Sequence, residues 1–271
     1  MDRSSQSRFT RSPQRGSAHT PYQRQGGFTL VEMAVVLVII GVILGAVMIG
    51  RDAQRNAEYL RIRQTFVNQW AVAYNSYVQR MGAPPGDNIS APNLMVNGAL
   101  FTGVVGGSLV GVTEPPALCH RSSGRGAARA MGGVSLRTVM LQAGIELPAG
   151  RGLNMEDRYV YLDTNGNPQE LQVCFQWNRP GTNWGTGNVM VISGLTPDLA
   201  RALAAAIKGN ADANTGSFRM EGVTSGAGGA TVTGTGGGVT WGVDNTEDIT
   251  GAAGNRESQV RTVVAHYKMN Q

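Results

Sequence analysis

The chain has 271 residues, of which 41% are hydrophobic and 15% charged, and its formal net charge is +5. Residues 1–27 carry five arginines against one aspartate, whereas residues 82–271 carry 13 basic and 14 acidic residues. A chain of this length can bury one sizeable core. Because the basic excess lies near the N-terminus, the overall charge does not indicate a nucleic-acid-binding protein, and nucleic acid is not an expected partner.

Residues 1–27 predict a cytoplasmic leader peptide. They are rich in Arg, Ser and Gln and contain no apolar run, so they cannot bury enough surface to fold. Their arginines precede an apolar segment, and the positive-inside rule keeps such a flank in the cytoplasm.

Residues 28–50 predict a transmembrane helix. Glu32 is the only charge between Phe28 and Ile49, and a helix of that length rises about 33 Å, which matches a bilayer core. A secretory signal would have a shorter apolar run with a small-residue cleavage site behind it. Two interpretations of Glu32 stay open: a functional carboxylate within the span, or a carboxylate that reaches the cytoplasmic interface.

The stretch "GGFTLVEMAVVLVIIGVILG" closely resembles the start of type IV prepilins and of type II secretion pseudopilins. The resemblance implies that a prepilin peptidase cuts between Gly27, the second residue of the Gly26-Gly27 pair, and Phe28. It implies that the same enzyme methylates Phe28, the new N-terminal residue, and that Glu32 is the acid of the motif. The chain would then be a substrate of that enzyme and not itself an enzyme.

The resemblance also implies location and partners. The chain would sit in the inner membrane with a periplasmic head before assembly, and in a periplasmic or extracellular filament afterwards. Its partners would be other pilin-like subunits, the prepilin peptidase, an inner-membrane assembly platform, and lipid before assembly. The expected function is a structural subunit of a type IV pilus or similar filament. The alternatives are a type II secretion pseudopilin and a filament-tip subunit for adhesion or DNA uptake.

Two features of the apolar segment bear on assembly. Phe28 gains a cationic amine on cleavage, and we expect Glu32 to pair with that amine on a neighbouring subunit. Gly41 and Gly45 lie four residues apart, a spacing that lets helices approach closely in lipid, although glycine is also common in membrane helices. No proline, such as many type IV pilins have here, occurs between Phe28 and Met81.

Residues 51–81 predict an amphipathic continuation, so that residues 28–81 form one helix. Gly82 and Pro84 oppose its continuation into the head domain. The predicted buried stripe recurs at steps of three, four or seven residues: Ala53, Ala57, Leu60, Val67, Trp70, Tyr74, Tyr77 and Met81.

Residues 82–271 predict a single α+β head domain, with an antiparallel sheet packed on the long helix as in pilins. A hairpin is expected from residues 159–162, the turn Asn165-Gly166 and a strand that places Leu171, Val173, Phe175 and Trp177 on one face. Further strands are expected at residues 188–193, 216–220 and 263–269. Thr196 is expected to cap a helix that starts at Pro197 and ends at Gly209.

Two cysteines, Cys119 and Cys174, lie in the part of the chain predicted to be outside the cytoplasm. We expect a disulfide there, with two unpaired buried thiols as the alternative. No nucleophile-elbow, zincin or P-loop pattern occurs. A nucleophile built from Cys119 and His120 is disfavoured because a disulfide would consume the thiol, and His266 falls on the polar face of the last strand.

No cofactor is expected, with one candidate calcium loop. Asp163, Asn165 and Asn167 alternate oxygen-bearing side chains as calcium loops do, and some pseudopilins bind calcium in the head. A hairpin turn explains the same residues better, because the terminal bidentate Glu is missing. Asp244, Glu247 and Asp248 are expected on a solvated surface. The glycine-rich segment 222–242 predicts an exposed loop or a set of small strands.

Overall fold

The computed structural model describes residues 27–103, 107–120, 134–222, 241 and 262–269. Gly26 and the leader, most of the glycine-rich segment and the acidic loop around Glu247 lie outside these residues. The chain divides into two compact units, Met1–Arg51 and Asp52–Gln271. Residues 52–81 therefore belong to the same unit as the sheet.

The helices and strands follow one another in the order expected of an α+β protein. The helices are α1 (Leu30–Ile62), a π-helical turn (Arg63–Val67), α2 (Asn68–Met81), a 3-10 turn (Gly98–Leu100), α3 (Leu136–Gln142) and α4 (Pro197–Lys208). The strands are β1 (Arg158–Leu162), β2 (Pro168–Asn178), β3 (Gly187–Leu195), β4 (Phe218–Met220) and β5 (Val263–Lys268).

The prediction of one helix over residues 28–81 is confirmed as a long helix from Leu30 to Met81, which starts two residues later than expected and contains a π-helical turn. The helix begins at Leu30, and the π-helical turn separates α1 from α2, with the Asn68 N–H bonded to the Arg63 carbonyl. A π turn contains an extra residue, which rotates the buried face of the helix. Phe66 and Val67 of this turn are both buried.

The predicted stripe is wrong in its first part. Ala53, Ala57 and Leu60 are exposed, because the buried face before the π turn passes through Tyr59 and Ile62 instead. From the last residue of the turn onward, Val67, Trp70, Tyr74 and Tyr77 are buried as expected, and Met81 is half-buried. The helix ends as predicted at Gly82, which has φ +74° and donates its N–H to the Val78 carbonyl.

The sheet confirms the predicted fold class. Its five strands have the order β1-β2-β3-β5-β4, and every neighbouring pair is antiparallel. The long apolar helix followed by this sheet gives an α+β, pilin-like architecture. The expected hairpin is β1–β2, closed by hydrogen bonds from Asp163 N to Asn167 O and from Gly166 N to Asp163 O.

The hydrophobic core lies between α1–α2 and one face of the sheet. Its centre is aromatic: the ring of Phe175 lies 6.2 Å from Trp70 and 5.0 Å from Tyr74, and Phe66 lies 5.4 Å from Tyr159. Offset aromatic pairs of this kind add stabilisation beyond their buried area. The core therefore joins residues 59–81 of the helix to β1 and β2.

The opposite face of the sheet is also covered. A second buried cluster there contains Cys119, Cys174, Val189 and Val191. Successive side chains of β2 point to opposite faces of the sheet, and both faces are buried. The alternation of β2 residues therefore assigns them to two buried clusters, and neither face of β2 is solvated.

Helix α4 begins at Pro197 and ends before Gly209 as predicted, but the predicted cap is wrong in one respect. Thr196 occupies the N-cap position, and its side chain makes no capping hydrogen bond. Leu199 and Leu203 of α4 lie in the main core.

Gly194 marks an irregularity in β3, where the register with β5 shifts between Ile192 and Leu195. Its φ is +83°, and a Cβ at this position would lie 2.0 Å from the Glu170 carbonyl oxygen. Both the backbone conformation and the close approach of β2 therefore require glycine.

We predict that Gly194→Ala lowers the free energy of unfolding by about 2–4 kcal/mol, through the left-handed backbone and the steric clash together. Gly166→Ala is the matched control: its φ is also +83°, but no atom lies within 4 Å of the added Cβ, so about 1 kcal/mol is expected. Chemical denaturation of the detergent-solubilised chain measures both. Equal losses in the two variants would contradict the close-approach argument.

Candidate processing and assembly segment

The segment around the expected cleavage site is exposed and non-helical. Gly27, Phe28 and Thr29 precede α1 and have no regular secondary structure. The Phe28 side chain is 84% exposed, and no atom lies within 4 Å of a Cβ built on Gly27. Among the described residues, nothing obstructs the peptide bond between Gly27 and Phe28.

Glu32 has a partner within its own chain. The Glu32 N–H donates to Thr29 Oγ1 at 3.2 Å, and Glu32 Oε2 accepts hydrogen bonds from Thr29 N at 2.8 Å and from Thr29 Oγ1 at 3.0 Å. This reciprocal arrangement is a capping box, which satisfies backbone donors that a helix N-terminus otherwise leaves free. The sequence T-x-x-E carries the signal for this cap, which was not among the predicted features.

The capping box explains why α1 starts at Leu30. Thr29 Oγ1 and Glu32 fix the first turn, and the Met33 N–H bonds to the Thr29 carbonyl. One carboxylate oxygen is thereby used locally. Pairing of Glu32 with the Phe28 amine of a neighbouring subunit remains a prediction.

The apolar part of α1 exposes its side chains on all sides. Leu30 is 91% exposed, Leu37 67% and Ile49 73%. By length and composition, the helix that starts at Leu30 is the one in the described residues that could cross a membrane, and none of its most apolar stretch is buried. These observations are consistent with insertion into the inner membrane before assembly.

Gly41 and Gly45 lie on this exposed helix, and no atom lies within 4 Å of a Cβ built on either. The surface at both positions is open to a neighbouring helix. Their use as a close-packing face stays a prediction.

Cys119 and Cys174 form a disulfide, with their Cα atoms 4.5 Å apart. It ties the segment before residue 120 to β2, next to an isolated bridge between Leu118 and Phe175. The Cys119 thiol is therefore not available as a nucleophile in this structure.

The candidate calcium residues form a closed turn. Asp163 Oδ1 accepts hydrogen bonds from the backbone N–H groups of Asn165 at 2.9 Å and Asn167 at 2.8 Å, and Oδ2 accepts one from Gln169 Nε2 at 3.1 Å. Within the described residues, no group of three or more His, Cys, Asp or Glu side chains could hold a metal ion. The geometry favours the turn interpretation.

His266 corrects the view of β5 as a strand with a polar, solvated face. Its side chain is fully buried, its Nδ1 accepts a hydrogen bond from Asn178 Nδ2 at 3.0 Å, and its Nε2 lies 3.3 Å from Glu221 Oε2. Asn178 lies at the end of β2, two strands away from β5 in the sheet, and the ring of Trp184, in the segment between β2 and β3, lies 6.2 Å from the His266 ring. The alternation in the sequence could not show that both faces are covered.

A second buried polar group lies just before β1. Asp157 Oδ2 accepts a hydrogen bond from Gln172 Nε2 at 3.2 Å. Burial raises the pKa of Asp157, while the charges of His120 and Arg158 oppose that rise. His120 Nε2 contacts the Asn154 carbonyl at 2.7 Å and its Nδ1 contacts Ser135 Oγ at 3.2 Å, so it supports neighbouring loops.

In a comparison with protein-family models, one segment of the chain matches a known family. The model of the prokaryotic N-terminal methylation motif matches residues 22–48. The chain carries a prepilin-type methylation motif. This motif is the signature of type IV pilins and pseudopilins, and it marks the chain as a substrate of prepilin peptidase. No curated protein and no solved structure gives a significant match.

The matched segment spans the expected cleavage site, the capping box and most of the apolar helix. It ends at residue 48, so the matched family model does not extend to the head. The resemblance to the prepilin signature is thus confirmed for residues 22–48. The described part of this segment, residues 27–48, is exposed.

We predict that the double variant Cys119→Ser, Cys174→Ser loses about 3–4 kcal/mol of unfolding free energy, because the disulfide closes a long loop in the unfolded chain. The disulfide joins residues 55 apart in sequence. Urea denaturation of the solubilised chain, with and without reductant, measures the loss. Reductant should destabilise the parent chain and leave the double variant unchanged; an unaffected parent chain would contradict the prediction.

Proposed function

We propose that this protein is a structural subunit of a type IV pilus or pilus-like filament. It is inserted in the inner membrane as a prepilin, cleaved after Gly27 and assembled through its N-terminal helix. One observation carries the proposal: the methylation motif lies on an exposed peptide bond and continues into a helix whose apolar side chains are uncovered.

The exposed helix needs a different environment at each stage. Apolar surface in water costs about 25 cal/mol per Å², and every residue from 30 to 50 is exposed. A helix satisfies its own backbone hydrogen bonds, so it can lie in lipid before assembly. After assembly, the helices of other subunits would replace the lipid.

Glu32 would have two successive tasks. In the single chain it caps α1 through Thr29. An ionised carboxylate has about four acceptor positions, so it can also accept the amine that cleavage creates on Phe28 of a neighbouring subunit. The cap would hold the carboxylate in place, and the amine would neutralise it in an apolar filament core.

Three variants separate these tasks. Glu32→Gln keeps a capping box, because Gln serves at this position, but removes the charge. Glu32→Ala removes both, and Thr29→Ala removes the capping hydroxyl while it keeps the charge. We expect sheared-filament yield to fall at least about tenfold in both Glu32 variants, because an unpaired amine is costly in an apolar filament core, and to stay near the parent level in Thr29→Ala.

Membrane levels and cleavage of each variant provide the controls. All three should insert and be cleaved, because none alters Gly27 or the apolar run. Parent-level filament yield from Glu32→Gln would refute the role of the charge. A strong loss in Thr29→Ala alone would show that the capping box and not the charge is limiting.

The type II secretion pseudopilin is the second candidate, because the same motif marks both classes. The head would then lie in the periplasm, where a disulfide such as Cys119–Cys174 persists. In either case the partners would be other pilin-like subunits, the peptidase and an assembly platform. Deletion of the gene, scored for surface filaments and for protein secretion, distinguishes the two.

A further inference from the structure

Four charged residues of α1 alternate in sign at intervals of three. They are Asp52, Arg55, Glu58 and Arg61, and we call them the charge ladder. Opposite charges three apart on a helix can pair with each other. Among the ion pairs of the described residues, however, none involves a member of the ladder.

The same stretch of α1 exposes apolar residues. Ala53 and Ala57 are exposed, and Leu60 is 52% exposed. Leu60 also lines a groove of about 200 Å³ whose other wall is formed by Ala202 and Ala206 of α4. Charges without ion-pair partners and uncovered small apolar residues thus occur together, within the compact unit that begins at Asp52.

We infer that the ladder is a contact between copies of this chain, in which the same stretch of a second copy lies alongside. The inference rests on the proposed function, since subunits inserted in one membrane share an orientation and their helices run parallel. Ala53 and Ala57 have small side chains that would let two helices approach. The partner is a second copy because the ladder carries equal numbers of both signs and is complementary to itself.

The ladder also selects a register. Successive charges lie about 4.5 Å apart along the helix axis. With two parallel copies at zero offset, or offset by six residues, like charges are level. An offset of three residues, about 4.5 Å, or of nine residues, about 13.5 Å, brings opposite charges level along the axis. Because the ladder turns half-way round the helix between Asp52 and Arg61, the nine-residue offset is the one in which Asp52 of one copy also faces Arg61 of the next.

Two variants with charges of a single sign test the inference. Arg55→Glu with Arg61→Glu makes the ladder acidic, and Asp52→Lys with Glu58→Lys makes it basic. In each variant alone, like charges face one another in every register, and we expect the yield of sheared filaments to fall at least about tenfold. Expressed together, the two variants should form mixed filaments at close to the parent yield.

The mixture distinguishes contacts between copies from contacts within one helix. Charges three apart in each variant helix remain alike in the mixture, so only pairing between copies can restore the yield. Insertion and cleavage of each chain, with the mobility of the disulfide-bonded form on non-reducing gels, verify that the variants fold.

A milder pair of variants guards against misfolding. Arg55→Gln with Arg61→Gln lowers the net charge by two without introducing repulsion, and Gln69→Glu with Gln79→Glu lowers it by the same amount at exposed positions outside the ladder. We expect the first to reduce filament yield and the second to leave it at the parent level. Equal yields from these two variants would overturn the inference.

Parent-level yield from the acidic variant alone, or no recovery in the mixture when both chains are inserted and cleaved, would also overturn it. A failure of the proposed function is recognised separately, because the parent chain itself would then form no filament.

Discussion

The apolar surface of residues 30–50 is the constraint on which the other features depend. None of the most apolar stretch of this helix is buried in the single chain. A surface of that kind is stable only in lipid or against other apolar helices. The basic residues before the helix, the expected cleavage site and the capped first turn all fit the proposal that this segment passes from the first environment to the second.

The head domain, in contrast to residues 30–50, buries its apolar side chains within the single chain. The aromatic core around Phe175 joins the sheet to residues 59–81 of the helix, and the disulfide secures β2 on the opposite face. Residues 52–58 lie between the apolar residues 30–50 and this core, and they have neither lipid-like apolarity nor buried side chains. Their alternating charges are therefore best explained by a contact with another copy of the chain.

The sequence predicted the elements that depend on local rules. The helix end at Gly82, the hairpin at Gly166 and the start of α4 at Pro197 all follow from residues with restricted or unusual backbone conformations. The failures had non-local causes. The π turn shifted the buried face away from Leu60, and coverage of both sheet faces buried His266, neither of which periodicity alone can show. The capping box of Thr29 and Glu32 also follows from a local rule, since the sequence T-x-x-E is sufficient to predict it.

The mass of the mature N-terminal peptide tests the central claim most directly. The account predicts that protein isolated from membranes or filaments begins at Phe28, with a methyl group on its amine. Co-expression with an inactive prepilin peptidase should leave the leader attached and the amine of Phe28 unformed. A chain that retains its leader in the presence of active peptidase, or that is cut after Ile49, would contradict the account.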